Sequence, residues 1–361
     1  MEKFAFILHP LTVEDMEHMS RVMRYIPGWL IEAGLKLKKP FAVSHITGVK
    51  SPYAEAEGWF IGCPLTARQM VSLPEEFVMD RIIESGKVAQ EVGARIVGLG
   101  AFTSIVGDAG ITVAKSLDIA VTSGNSYTVA TAIQGTKEAV KLMGKELRDS
   151  RAVVVGASGS IGAASVRILA REVKHITLVA RHKQPLEELA QELITANHCE
   201  VAVSDDIHTA LRDADIVITV TSALDFLVEP GDLKPGAVVC DVARPRNVSR
   251  EVSLKRNDVL VIEGGVINIP GDVNFRFNFG FPPHTAYACM SETMILALEG
   301  IYENFSLGRN LDLGKINLIS ALAAKHGFSL AGFRNFERAV SAEHIRKVRQ
   351  NAETALAVHG L

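Results

Sequence analysis

Cysteine is scarce in this sequence: Cys63, Cys199, Cys240 and Cys289 are the only four in 361 residues. They stand too far apart for a disulfide framework, and none has a second cysteine two to four residues away, so no structural zinc motif is present. Reduced thiols of this kind point to a cytoplasmic protein, and no metal is expected. Charge of one sign is also lacking, since 38 basic and 41 acidic residues leave a net charge of −3. No broad field therefore advertises a nucleic-acid partner. No apolar run approaches the roughly 20 residues that span a bilayer, so no integral membrane segment is expected. The opening MEKFAFILHP has neither the basic start nor the cleavage site of a secretory signal and reads as a strand from Phe4 to Leu8. What is left is a soluble globular chain, long enough for two domains.

The first 125 or so residues mix short strands and helices. Thr12 and Asp15 stand at capping-box spacing, and a helix is expected from Val13 to about Met23. Helical spacing recurs over Pro74–Val92, ahead of a short apolar strand at Arg95–Leu99, and Ser126–Met143 reads as a bridging helix. From Arg151 the rhythm becomes regular. Strands are expected at Ala152–Val155, Ile176–Ala180, Glu200–Val203, Asp215–Val220, Ala237–Asp241 and Val259–Glu263, with helices at Ser160–Arg171 and Pro185–Ala196. Unbroken β-branched runs such as Val153-Val154-Val155 suit strands covered on both faces, the mark of a parallel sheet in an α/β domain. After Pro283 the chain reads as helical to about Asn304, and again from Leu313 to His326.

Gly156-Ala157-Ser158-Gly159-Ser160-Ile161-Gly162 follows the strand at 152–155 and opens a helix. Its three glycines have the roles of a dinucleotide loop: a tight turn at Gly156, backbone approach to a pyrophosphate at Gly159, and close helix packing at Gly162. Ser158, Ser160 and Ile161 complete the turn, and the helix N-terminus supplies N–H groups to phosphate. The next strand ends Leu178-Val179-Ala180 and runs into Arg181-His182-Lys183. No carboxylate stands there for the ribose hydroxyls of NAD, whereas Arg181 and Lys183 suit a 2′-phosphate, so NADPH is favoured. Thr219, Gly264 and Gly265 fall where later strands should end at the same rim; close approach of the nicotinamide half and ordinary tight packing are both open for them.

Among the cysteines, Cys240 lies in an apolar run and reads as core, Cys199 shows no obvious chemical setting, and Cys63 lies between Gly62 and Pro64, where spacing alone gives it no role. Cys289 follows Phe281-Pro282-Pro283-His284. A helix starting near His284 or Thr285 puts it close to an N-terminus, where amide hydrogens favour a thiolate. His284 is a candidate proton donor and Glu292 a group that orients a neighbour. A packed, inert Cys289 fits the same pattern.

Gly100-Ala101-Phe102-Thr103-Ser104-Ile105, Thr122 to Thr128, the glycine loop, Gly264-Gly265 and above all Ala288-Cys289-Met290-Ser291-Glu292 resemble the cyanobacterial long-chain acyl-[acyl-carrier-protein] reductases, as do Leu298-Glu299-Gly300, Asn304-Phe305-Ser306 and Gly308-Arg309-Asn310. The resemblance runs along most of the chain. It implies that Cys289 is acylated by a long-chain thioester on acyl carrier protein or coenzyme A, and that NADPH then releases a fatty aldehyde. Ser291 and His284 become candidates for stabilising the carbonyl oxygen. The fold implied is α/β with a shikimate-dehydrogenase-like Rossmann architecture: an N-terminal α/β substrate domain with its bridging helix over 1–145, an NADP-binding parallel sheet over 146–283, and a C-terminal helical segment over 284–361 packed at the domain interface. A homo-oligomer is compatible with it. Two other functions stay open, hydride transfer to a small cyclic ketone and a non-catalytic, nucleotide-dependent acyl-thioester sensor.

Overall fold

Phe4, Ala5, Phe6 and Ile7 are all buried, so the first strand must be covered on both faces. The computed structural model describes residues 1–18, 21–197, 199–336 and 338–359 and accounts for this. It forms two compact units, Met1–Tyr127 with Ile267–Ser329, and Thr128–Val266 with Leu330–Leu361.

The first unit is built on β1 (Glu2–Leu8), β2 (Phe41–Lys50), β3 (Glu55–Gly62), β4 (Ile96–Leu99) and β5 (Ala120–Thr122), in the order β2-β3-β1-β4-β5. Strand β2 runs antiparallel to β3, and the other pairings are parallel. Helices α1 (Gly28–Leu37), α2 (Ala67–Ser72), α3 (Glu75–Glu91) and α4 (Ile111–Lys115) lie between these strands, and α5 (Asn125–Leu142) starts here and passes into the second unit at Thr128. Alternation along β1 divides its faces: Ala5 and Ile7 join Val97, Leu99 and the α3 residues Val78, Ile82 and Ala89 in one core.

The second unit holds β6 (Arg151–Val155), β7 (His175–Val179), β8 (Glu200–Ser204), β9 (Ile216–Thr219), β10 (Val238–Asp241) and β11 (Leu260–Glu263). Each lies within one residue of its expected range. Helices α6 (Ser160–Leu169), α7 (Gln184–Asn197), α8 (Ile207–Leu211) and α9 (Arg250–Lys255) occur among them. The sheet is parallel throughout, in the order β11-β10-β9-β6-β7-β8. That is the doubly wound Rossmann order, with its switch point between β6 and β9. The chain then returns to the first unit for α10 (Ala288–Glu299) and α11 (Leu313–His326), and α12 (Ala342–His359) belongs to the second. Helix α10 covers the β1 face opposite α3: a Cβ on Gly98 of β4 would sit 2.1 Å from Thr293 Oγ1 and 2.5 Å from the Phe6 ring.

Two expected helices are corrected. Asp15 does cap the chain, accepting the N–H groups of Leu11 and Thr12. The turns beyond that cap are 3₁₀ rather than α, at Glu14–His18 and Arg21–Tyr25, and residues 19 and 20 of the expected helix lie outside the described residues. The apolar residues Val13 and Met16, and again Met23 and Ile26, are three apart, matching a three-residue turn, and all four pack with Ile31 and Leu35 of α1. The helix expected from near His284 or Thr285 begins only at Ala288. His284 has φ +60°, and Thr285–Tyr287 is extended. At its other end Gly300 turns left-handed and stops α10 short of Asn304.

Candidate active site

At the switch point of the second unit, Gly156 follows β6 with φ +92°. Its N–H donates to Val179 O (2.8 Å), and a Cβ there would come 3.0 Å from Val220 backbone atoms beyond β9. Gly162 is tighter still: a Cβ would lie 2.1 Å from Gly156 O, so any side chain pushes α6 off the loop. Gly159 is the N-cap of α6 and brings no side-chain cap. The N-terminal end of α6 points its dipole at this loop and favours an anion there. Ser158 is exposed, and Ser160 and Ile161 are half-buried at the helix start. This cradle fits a dinucleotide pyrophosphate.

Arg181 and Lys183 stand exposed just past β7. Lys183 pairs with Asp205, beyond β8, at 3.0 Å. No side-chain partner holds Arg181 among the described residues. Thr219 is fully buried, and its hydroxyl donates to Asp241 Oδ1 at 2.8 Å. Asp241 also accepts the N–H groups of Ala243, Asn247 and Val248, so this carboxylate shapes the loop after β10. Gly264 sits against Val242, where a Cβ would be 2.8 Å from a Val242 methyl, and Gly265 has φ +65°.

In the first unit, Cys289 is the second residue of α10 and half-buried. Gly124, with φ +73°, lies directly on it: a Cβ would come 2.3 Å from Cys289 Cβ and 2.4 Å from its Cα. The loop after β5 is held there by Glu292, one turn further along α10. This buried carboxylate accepts the Thr122 hydroxyl and the Tyr127 N–H (2.7 Å), with Ser306 and the Gly124 backbone as further donors. Burial raises its pKa above the ordinary carboxyl value despite those donors. Glu292 therefore positions the loop that crosses Cys289.

Ser291 is buried and its hydroxyl donates to Tyr287 O at 3.1 Å, back along its own helix. His284 lies before β-strand Thr285–Tyr287, with Nε2 3.7 Å from Asp272 Oδ1. The other three cysteines are buried, and none of the four is in a disulfide. Burial pushes the Cys63 and Cys240 thiols up to about 12 and also raises that of Cys199. Among the described residues, no group of three or more His, Cys, Asp or Glu is placed to hold a metal ion.

One group escaped the reading of the sequence. His9, just past β1, accepts the Phe102 N–H at Nε2 (3.1 Å) and meets Pro10 O through Nδ1 (2.9 Å). Burial lowers its pKa to about 4, so the imidazole is neutral across the physiological range. A lone histidine after a strand carries no pattern; only the parallel sheet sets it beside the 101–104 turn that follows β4.

Residues 137–263 match the family model for shikimate / quinate 5-dehydrogenase. The chain is 30% identical over 362 aligned residues to "Aminotransferase PigE" of Serratia sp., covering 96% of this chain and 42% of that protein. It thus spans less than half the length of that relative. It is 26% identical over 343 residues to the long-chain acyl-[acyl-carrier-protein] reductase of Synechococcus elongatus, covering 90% of this chain and 98% of the other. A shorter match, 29% over 126 residues, is to glutamyl-tRNA reductase of Corynebacterium urealyticum, with 35% of this chain and 24% of that one covered. The second unit thus has a Rossmann-type dinucleotide-binding fold whose residues 137–263 are similar to the shikimate / quinate dehydrogenase family, and the chain is similar, at low identity, to the cyanobacterial reductase. None of its described helices is long and apolar enough to cross a membrane.

Proposed function

We propose that this chain reduces a long-chain fatty acyl thioester, carried on acyl carrier protein or coenzyme A, to the fatty aldehyde with NADPH, through an acyl group on Cys289. The observation that carries this reading is the setting of Cys289, the one cysteine that is not buried, on the first turn of α10 with Gly124 lying directly against it. The amide hydrogens of that turn favour the thiolate. The similarity to the Synechococcus reductase over nearly the full length of both chains supports the same reaction.

The thiolate of Cys289 attacks the thioester carbonyl, the carrier thiolate leaves, and the acyl group is held on the enzyme as a new thioester. NADPH, when bound, would supply a hydride to this carbonyl; Cys289 holds the acyl group until then and its sulfur is the leaving group, so that the products are aldehyde and NADP⁺. Gly156, Gly159 and Gly162 would hold the pyrophosphate, and Arg181 with Lys183 the 2′-phosphate. Glu292 fixes the 122–127 loop over the thiol, and His284 remains the candidate proton donor. Ser291 is spent on Tyr287 O and suits that role less.

The Serratia relative is named an aminotransferase. Amino transfer to an aldehyde is one reaction class that would consume this product. The reading is tested by mass spectrometry of products from a panel of acyl carrier protein and coenzyme A thioesters with NADPH. Aldehyde is expected, with one carrier and chain length preferred. The match of residues 137–263 to a dehydrogenase of cyclic substrates favours a second reading, hydride transfer to a small cyclic ketone. NADPH oxidation with such ketones, undiminished without Cys289, would replace the first reading, and thioester binding without turnover would point to a sensor.

A further inference from the structure

Helix α1, Gly-Trp-Leu-Ile-Glu-Ala-Gly-Leu-Lys-Leu, has only two polar residues, Glu32 and Lys36, in ten. One apolar stripe explains itself: Ile31 and Leu35 are buried against Met16, Val13, Met23 and Ile26. The opposite side is apolar as well. At 3.6 residues per turn, Trp29, Ala33 and Leu37 fall in one row with Leu30 beside it, and all are exposed, Trp29 at 71% and Leu37 at 84%. The preceding turn adds Tyr25, 84% exposed, and Val22. Exposed large apolar side chains in a contiguous patch mark an interaction surface.

The charges around the patch say what kind. Residues 21–39 carry Arg21, Arg24, Lys36, Lys38 and Lys39 against the single acid Glu32, in a chain whose net charge is −3. Arg24, Lys36, Lys38 and Lys39 are exposed, while Glu32 is half-buried and accepts the Thr66 hydroxyl (3.2 Å). Two copies of this chain meeting through the patch would bring like charges together. An anionic surface with an apolar interior meets both features at once. Trp and Tyr settle at the boundary between headgroups and acyl chains, Leu and Val go deeper, and Lys and Arg pair with anionic headgroups. We propose that α1 and the turn before it are an in-plane docking face for anionic lipid bilayers, holding the protein at the membrane surface without spanning it.

The chain has two tryptophans, Trp29 and Trp59. Trp59 stacks on His45 with ring centroids 4.9 Å apart, so a W59F background makes Trp29 the reporter. The full chain is mixed with vesicles of phosphatidylcholine alone, and of phosphatidylcholine with phosphatidylglycerol. Expected is co-sedimentation with the anionic vesicles, a blue shift of Trp29 emission on binding, and weakening by salt. A W29S/L37S variant and a K36E/K38E/K39E variant should each bind at least about tenfold more weakly, with unchanged circular dichroism and NADPH titration. The proposal is overturned if wild type fails to sediment with anionic vesicles at low salt, or if W29S/L37S binds as well as wild type. It is also overturned if Trp29 responds to acyl carrier protein and not to vesicles, or is already blue-shifted in buffer by self-association.

Discussion

Four thiols in one chain differ in reactivity because their surroundings differ. Cys63 and Cys240 are enclosed, their ionised forms disfavoured by burial, while Cys289 is half-buried at the N-terminal end of α10, where the helix dipole favours a thiolate. Replacing Cys289 with Ser keeps the shape and exchanges a good thioester nucleophile and leaving group for a poor one. C289S should fold, bind NADPH as wild type does, and form aldehyde roughly a hundredfold more slowly or worse. The intermediate can be seen directly by intact mass after mixing with acyl donor without NADPH. An adduct that maps to Cys63, or turnover by C289S at the wild-type rate, would falsify the thiol mechanism. Arg181 is the matching residue for the cofactor. A lost charge-assisted contact costs about 1.5–3 kcal/mol, so R181A should weaken NADPH about tenfold or more and leave NADH nearly unchanged. Equal titrations of the two cofactors by wild type would remove the assignment.

At the scale of elements, helix α10 and the loop after β5 form one structure, held by Glu292. Its carboxylate gathers donors from Thr122, Tyr127, Ser306 and Gly124. E292A leaves those donors facing an apolar gap and should lower stability in urea by about 2–4 kcal/mol. The pH dependence comes from the raised pKa. The carboxyl takes up protons more readily folded than unfolded, so its contribution is present in full below the unfolded carboxyl pKa and is lost as pH rises through the folded value. E292Q cannot ionise, and its stability profile should be flatter across that interval; an unchanged slope would place the pH response elsewhere. Little of this was legible in the sequence. The strands of the second unit were, because buried parallel strands are unbroken β-branched runs, and so was the loop Gly156–Gly162, whose spacing is local. The start of α10 lies three to four residues beyond the expected one, since Thr285–Tyr287 is extended and His284 O accepts the Ile269 N–H, a pairing that local spacing does not announce. Two of the donors to Glu292, Thr122 and Tyr127, lie 170 and 165 residues away from it along the sequence.

On the scale of the whole molecule, the glycine cradle belongs to Thr128–Val266 and Cys289 to the unit formed by Met1–Tyr127 and Ile267–Ser329. Each half-reaction of the proposed chemistry then has a residue whose loss should leave the other half intact. A Cβ at Gly162 would lie 2.1 Å from Gly156 O, a backbone atom that a flexible side chain cannot relieve. Overpacking of this kind costs about 1–3 kcal/mol, which is roughly tenfold or more in affinity when it falls on the binding loop. G162A should therefore titrate NADPH at least about tenfold more weakly and still acquire an acyl group on Cys289 in the absence of cofactor. C289S should do the reverse, with wild-type NADPH titration and no adduct. Adduct chase separates them further: NADPH added to acylated wild type should release aldehyde in a single turnover, whereas acylated G162A should hold its adduct until NADPH is raised well above the wild-type requirement. If G162A lost acylation as completely as C289S while still folded, acyl transfer would depend on the dinucleotide loop. The division between a thiol unit that loads and a dinucleotide unit that reduces would then have to be abandoned.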